Sequence, residues 1–155
     1  MDANSQRRNH QGSALSSLNA AVEATNVAEK RAGIAPVKAV FGSVSGLLAK
    51  IRDLTIRKAD YVELGLACAD ICGALDRGMN GRQEDQIGQS VLEAIERLTT
   101  TVVEIRRNVD ELGKQKRISR FFHARDDKDT IAAWRLDLNR ILHVFNIRFT
   151  TAALT

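Results

Sequence analysis

Apolar side chains recur at spacings of three and four residues along four stretches of the chain. The stretches cover residues 37–54, 61–79, 87–112 and 131–149. Spacings of three and four place side chains on one face of an α-helix, whereas a strand would require alternation. The pattern therefore predicts four long amphipathic helices, each with one apolar face that must be buried against another element.

A weaker apolar stripe precedes these four and predicts a helix over residues 14–31. Large side chains are few in it, and Thr25 stands where the next apolar group is due, so we expect this helix to pack weakly. Gly33 and Pro36 mark its end. Residues 1–13 are polar and show no periodicity, which predicts a disordered arm.

Three local signals bear on where the helices begin and end. Asp60 with Glu63 resembles a capping box at the start of the second long helix. Gly113 is placed to cap the C-terminus of the third. The segment 80–82, Asn-Gly-Arg, reads as a turn.

Composition agrees with a helical domain of one core. Apolar residues make up 44 % of 155 residues, and Pro occurs once. Burying one large apolar side chain stabilises a fold by about 1.5 to 3 kcal/mol. We predict an all-α fold, an antiparallel four-helix bundle with an additional N-terminal helix. The predicted parts are the arm (1–13), an accessory helix with linker (14–36) and the bundle (37–155).

The charge distribution disfavours a general nucleic-acid binder. The formal net charge is +4, and residues 61–155 carry 14 basic and 14 acidic groups. A nucleic-acid-binding domain usually shows a larger excess of positive charge. No apolar run of 18 residues is present, and no secretory signal precedes Cys68 and Cys72. We expect reduced thiols and a cytoplasmic protein.

Sequence motifs of catalysis are absent. The chain has no glycine-rich phosphate loop, zinc-protease motif or nucleophile elbow. We therefore expect no enzyme, no cofactor and no small-molecule substrate. Cys68 and Cys72 lack a third ligand at a suitable spacing, so core positions are favoured over a metal site. Trp134 and Phe145 lie on the apolar stripe of the last helix and are predicted to be buried.

Gly42 and Gly46 lie four residues apart inside the first long helix. Small residues at this spacing permit close helix contacts and recur at helix interfaces within membranes. Close packing inside a soluble bundle explains them equally well, and the sequence leaves both interpretations open.

The strongest local feature is residues 114–125, which hold five basic side chains, two phenylalanines and no acid. Such a segment can bind anionic lipid headgroups or nucleic-acid phosphates. It can also be a solvated connection whose aromatic rings turn inward. The predicted membrane-binding residues are Lys114, Lys116, Arg117, Arg120, Phe121, Phe122 and Arg125.

Residues 60–65, 68–77 and 119–128 carry a family resemblance. Across about residues 37–149 the chain resembles the N-terminal helical domains of large NLR-like proteins of mushroom-forming fungi. Those domains are similar to the N-terminal four-helix bundle of the mixed lineage kinase domain-like pseudokinase and to fungal HeLo domains. The animal bundle opens directly with its first long helix, whereas here about 35 residues precede that helix.

The resemblance implies an effector domain of programmed cell death and innate immunity. Such a domain would stand at the N-terminus of a longer protein. On activation it would move from the cytoplasm to an anionic phospholipid membrane, form homo-oligomers and permeabilise the bilayer. The alternative is a helical adaptor that binds a partner protein and never touches lipid. An adaptor should expose a contiguous apolar patch.

Overall fold

The computed structural model describes the backbone of residues 3–54, 58–114 and 124–154, and the side chains of residues 12–54, 58–112 and 128–149. Across these ranges the chain is helical and contains no strand, which confirms the all-α prediction. The α-helices are α1 (Ala3–Arg31), α2 (Ala35–Arg52), α3 (Ala59–Met79), α4 (Gln89–Lys114) and α5 (Ala124–Leu154). A short 3-10 helix, Glu84–Gln86, precedes α4.

Helix α1 begins further toward the N-terminus than its apolar stripe predicts. The backbone is helical from Ala3, where the sequence predicted a disordered arm up to residue 13. Residues 3–11 contain neither Pro nor Gly, and Ala, Gln and Arg are good helix formers. Intrinsic propensity can therefore extend a helix beyond the point where its apolar stripe starts.

Both predicted caps are also wrong. The N-cap residue of α3 is Lys58, and no side chain caps this end. Asp60 and Glu63 instead accept hydrogen bonds from Nη2 of Arg135 in α5, at 2.9 and 2.6 Å. A guanidinium is a stronger donor to carboxylates than a backbone amide. At the other predicted cap, α4 continues through Gly113 and ends at Lys114.

Six helix pairs make the main contacts. α2 contacts α3 and α4, α5 contacts α3 and α4, and α1 contacts α2 and α3. These contacts bury one continuous apolar core that all five helices share. The largest side chains that are fully buried in it are Tyr61, Phe41, Phe145, Leu18, Leu47, Leu48, Ile51, Leu64, Ile71, Leu75, Leu98 and Ile105.

Helix α1 packs more closely than its thin stripe predicted. It lies along both α2 and α3, and its Leu18 is fully buried. Thr25 is buried as well, because its hydroxyl donates to the carbonyl oxygen of Ala21 at 2.7 Å. A hydroxyl satisfied within its own helix can enter a core with little penalty. Thr25 therefore does not interrupt the buried face.

Candidate functional site

The predicted membrane-binding residues lie mostly outside the described part of the chain. Lys116, Arg117, Arg120, Phe121 and Phe122 belong to residues 115–123, which the structure does not describe. Lys114 is the last residue of α4 and Arg125 is the second of α5, but their side chains also fall outside the described set. The basic segment 114–125 therefore covers the end of α4, the connection to α5 and the start of α5.

Polar contacts join α2 to its neighbours at the end where α4 terminates. Lys50 forms an ion pair with Asp110, which lies four residues before the end of α4. The guanidinium of Arg52 donates to Asp53 at 3.3 Å and to Asn19 of α1 at 3.4 Å. These two cations of α2 are thus engaged within the helical body.

Gly42 and Gly46 make room for charged side chains from two different helices. A Cβ atom on Gly42 would lie 3.1 Å from Oε1 of Glu29 in α1. A Cβ atom on Gly46 would lie 3.1 Å from Nη1 of Arg106 in α4. Of the two interpretations that the sequence left open, packing within the helical body is the one that describes these glycines here.

Cys68 and Cys72 are buried core residues, as predicted. Burial raises the pKa of the Cys68 thiol to about 12. The pKa of Cys72 is raised too, first by burial and then by the nearby charges of Cys68 and Asp76. The thiolate is the form that attacks electrophiles and binds metals. Both side chains are therefore inert thiols at neutral pH.

The aromatic residues of α5 pack into the core, as predicted. Trp134 is 5 % exposed, and its Nε1 donates to Oε2 of Glu104 in α4 at 3.1 Å. Phe145 is fully buried and stacks on Phe149, with ring centroids 5.9 Å apart. A buried indole usually needs a partner for its N–H. Glu104 supplies one and fixes α5 against α4.

The structure also contains an open cleft that the sequence did not predict. Its volume is about 450 Å³, and it lies where α1 ends, α2 begins and α3 ends. Apolar side chains and three arginines line it: Ile34, Val37, Phe41, Met79, Arg31, Arg77 and Arg82. Asp76 is the one acidic residue among the described residues that line the cleft, and its carboxylate binds Arg31 at 2.6 Å. We call this feature the arginine cleft.

Two glycines shape the arginine cleft. Gly81 has a φ angle of 78°, which side chains rarely allow, and it forms the turn that leads to Arg82. A Cβ atom on Gly78 would lie 2.1 Å from Cδ2 of Phe149, so the ring can approach α3 only at a glycine. The guanidinium of Arg82 stacks on that ring, 5.5 Å from its centroid. A contact between α3 and α5, together with the turn at Gly81, thus positions Arg82.

Sequence reasoning missed the arginine cleft because its residues come from separate segments. Arg77 and Arg82 each stand alone in the sequence, and Arg31 is adjacent only to Lys30, so no basic run or motif marks the site. The sequence predicts the helix end at residues 33–36 and the turn at residues 80–82, but it does not predict that they lie beside each other. The useful signal would have been a basic residue at the end of each of two adjacent helices.

No family model, curated protein or solved structure matches this chain. Within the residues that the structure describes, no helix has both the length and the apolar character needed to cross a membrane. The same residues contain no group of three or more His, Cys, Asp or Glu side chains that would hold a metal ion.

Proposed function

We propose that this chain is a cell-death or immune effector domain that binds anionic membranes and oligomerises there. The observation that carries the proposal is the basic segment 114–125, with five cations, two phenylalanines and no acid in twelve residues. Its resemblance to HeLo-like domains supplies the biological role. The chain would act as a cytoplasmic domain that is recruited to the membrane on activation.

An antiparallel four-helix bundle of α2, α3, α4 and α5 is part of this proposal, with α1 as an additional helix. The contacts α2–α3, α3–α5, α5–α4 and α4–α2 support it, because they are the contacts of a closed ring of four helices. α1 contacts α2 and α3 and so lies beside one pair of that ring.

The position of the basic segment in the chain suits a surface contact with lipid. The segment begins at Lys114, the last residue of α4, and ends at Arg125, the second residue of α5, and these two helices pack against each other. Lys58 and Lys128, at the N-terminal ends of α3 and α5, are both exposed. Each basic residue near an anionic membrane contributes about 1 kcal/mol to binding. Phenylalanine rings add apolar area that can enter the interface.

The adaptor alternative has less support in the described surface. The exposed large apolar side chains are Val27, Val103, Leu136 and Ile147. They are distributed over α1, α4 and α5, whereas an adaptor surface is expected to gather such groups into a contiguous patch. Leu136 and Ile147 share a face of α5 but are eleven residues apart, about 16 Å along the helix.

Vesicle co-sedimentation tests the membrane proposal. The test variant replaces Lys114, Lys116, Arg117, Arg120 and Arg125 with Gln. The matched control removes the same charge from exposed residues elsewhere, by replacing Lys38, Arg97, Arg106, Arg107 and Arg140 with Gln. We expect the wild type and the control to sediment with phosphatidylserine vesicles and the test variant to stay in solution.

The same experiment measures the salt dependence of binding, the oligomers formed on the vesicles and the leakage of trapped dye. Binding of the wild type should weaken as salt rises, because exposed charges are screened over about 8 to 10 Å at physiological ionic strength. Chemical cross-linking of the vesicle-bound protein should yield oligomers, and trapped dye should leak. Equal sedimentation of the test variant and the wild type would contradict the proposed site, and vesicle binding without oligomers or leakage would contradict the effector role.

A further inference from the structure

The arginine cleft combines an excess of positive charge with an apolar floor. Among the described residues, three guanidinium groups and one carboxylate, that of Asp76, line it. Asp76 binds Arg31, whereas Arg77 and Arg82 form no ion pair with any residue that the structure describes. Within the described part of the chain, two cations therefore share one concave surface without a carboxylate partner.

The guanidinium of Arg82 is held by packing, which lowers the cost of binding a ligand. Arg82 rests on the ring of Phe149, which in turn lies against Gly78. Arg77 lies along α3, with Nη1 3.3 Å from the position of a Cβ atom on Gly73. Side chains that are ordered before binding lose less conformational entropy when a ligand arrives.

We propose that the arginine cleft binds a phosphate group, as a phosphomonoester or diphosphate carried by a small molecule or a lipid headgroup. Guanidinium groups bind phosphate oxygens through paired, charge-assisted hydrogen bonds. A phosphate with close to two negative charges would balance Arg77 and Arg82, which have no ion pair among the described residues. Ile34, Val37 and Phe41 provide an apolar surface for the organic part, and the volume of about 450 Å³ fits small-molecule sites.

This site is independent of the proposed membrane-binding segment. α4 has 26 residues and so spans about 39 Å, with the basic segment at its C-terminal end. At its N-terminal end, Ser90 accepts a hydrogen bond from Nη2 of Arg148, the residue before Phe149. The arginine cleft and the basic segment therefore lie at opposite ends of α4, and each can fail without the other.

Isothermal titration with inorganic pyrophosphate tests the proposal. We expect Arg77→Gln with Arg82→Gln to weaken pyrophosphate binding by about tenfold or more, since hydrogen bonds to charged groups contribute strongly. The matched control, Arg97→Gln with Arg107→Gln, removes two exposed cations of α4 and should leave the affinity within about twofold of the wild type. Equal unfolding midpoints of the two double variants would show that both are folded.

Three further variants test the same site, and the first should change the affinity in the opposite direction. Asp76→Asn removes the carboxylate that competes for Arg31, so it should tighten pyrophosphate binding. Gly78→Ala should displace Phe149 and with it Arg82, and so should weaken binding. Replacing the five cations of the basic segment with Gln should leave pyrophosphate affinity unchanged, which separates this proposal from the membrane proposal.

Vesicle binding distinguishes a phosphate on a lipid headgroup from a phosphate on a soluble molecule. Phosphatidylcholine vesicles with and without phosphatidic acid present the same phosphate on a lipid. This assay uses the protein whose basic segment carries Gln in place of its five cations, so that vesicle binding depends on the cleft. In that protein, loss of the phosphatidic acid-dependent binding on adding Arg77→Gln with Arg82→Gln would assign the site to a headgroup, and retention or absence of that binding would assign the site to a soluble phosphate. A wild type that binds no pyrophosphate, or cleft and control variants that lose affinity equally, would overturn the proposal.

Discussion

Helix α1 and helix α5 both make polar contacts with other helices but differ in how many large apolar side chains they bury. α5 buries Ile131, Trp134, Leu138, Ile141 and Phe145. On α1, Leu18 is the single large apolar side chain that is buried among the side chains described. Polar contacts accompany it, such as the hydrogen bond from Ser45 to Asn26 and the ion pair of Arg31 with Asp76.

The open groove between α1 and α3 also indicates that α1 buries less apolar area than α5 does. An open groove of about 470 Å³ runs between these two helices and is lined largely by small residues. Apolar burial stabilises in proportion to the area removed from water, and exposed polar contacts contribute little. The comparison teaches that α5 is bound mainly through apolar area, whereas polar contacts contribute a larger share at α1.

The largest loss of stability is expected from a substitution at a buried position of α5. Phe145→Ala should lower the free energy of unfolding by about 3 to 5 kcal/mol, because the ring is fully buried and leaves a cavity. Urea unfolding followed by circular dichroism measures it. The control is Ile147→Ala on the same helix, which is 48 % exposed and should change stability by no more than about 0.5 kcal/mol. Similar losses in both variants would contradict the assigned face of α5.

The same chemical change in two places sharpens the comparison. Leu18→Ala in α1 and Leu138→Ala in α5 each remove a buried leucine. Loss of a buried leucine costs about 2 to 5 kcal/mol, and less where neighbours can close the gap. We expect Leu18→Ala near the lower end of that range, since α1 lies beside an open groove, and Leu138→Ala near the upper end. Equal costs would show that the two helices are bound alike.

The sequence predicted the faces of the long helices because periodicity depends only on the chain itself. Cys68, Cys72, Trp134 and Phe145 are buried as their spacing required. Periodicity does not predict which side chains of two different helices contact each other. Asp60 with Glu63 fits a capping box in the sequence, but Arg135, 72 residues away from Glu63, provides a stronger partner.

The arginine cleft shows why sequence spacing could not predict a site whose residues come from separate segments. Its cations come from the end of α1, the end of α3 and the turn that follows. The packing of Phe149 on Gly78 and the turn at Gly81 determine where Arg82 lies. No spacing within the sequence contains that information, whereas the basic segment 114–125 is visible because its residues are adjacent.

The Cys pair predicts a pH dependence within the apolar core. Cys68→Ala with Cys72→Ala should cost about 1 to 3 kcal/mol at pH 7. Burial raises the pKa of Cys68 from 9.0 to about 12, so the unfolded chain releases this proton first as pH rises. The stability due to the buried thiol is therefore complete below pH 9 and is lost between pH 9 and about 12.

Unfolding in urea at pH 7 and at pH 10.5 measures this effect. The wild type should lose more stability between these two pH values than the double alanine variant does, because other titrating groups are common to both proteins. An equal loss in the two proteins would show that the thiols ionise as easily in the folded state as in the unfolded chain.

The smallest effect is expected at the polar contact between α1 and α2. The hydroxyl of Ser45 donates to Oδ1 of Asn26 at an exposed position. Such a hydrogen bond contributes about 0.5 to 1.5 kcal/mol, and the lower part of that range applies where water competes. A double-mutant cycle with Asn26→Ala and Ser45→Ala isolates the pair, since it removes the effect of each substitution alone.

The control cycle combines Asn26→Ala with Ser43→Ala, a neighbour on α2 that is half-buried. We expect a coupling energy of about 0.5 to 1 kcal/mol in the first cycle and none above error in the second. A coupling as large as the loss from Leu18→Ala would mean that polar contacts bind α1 as strongly as its one buried leucine does.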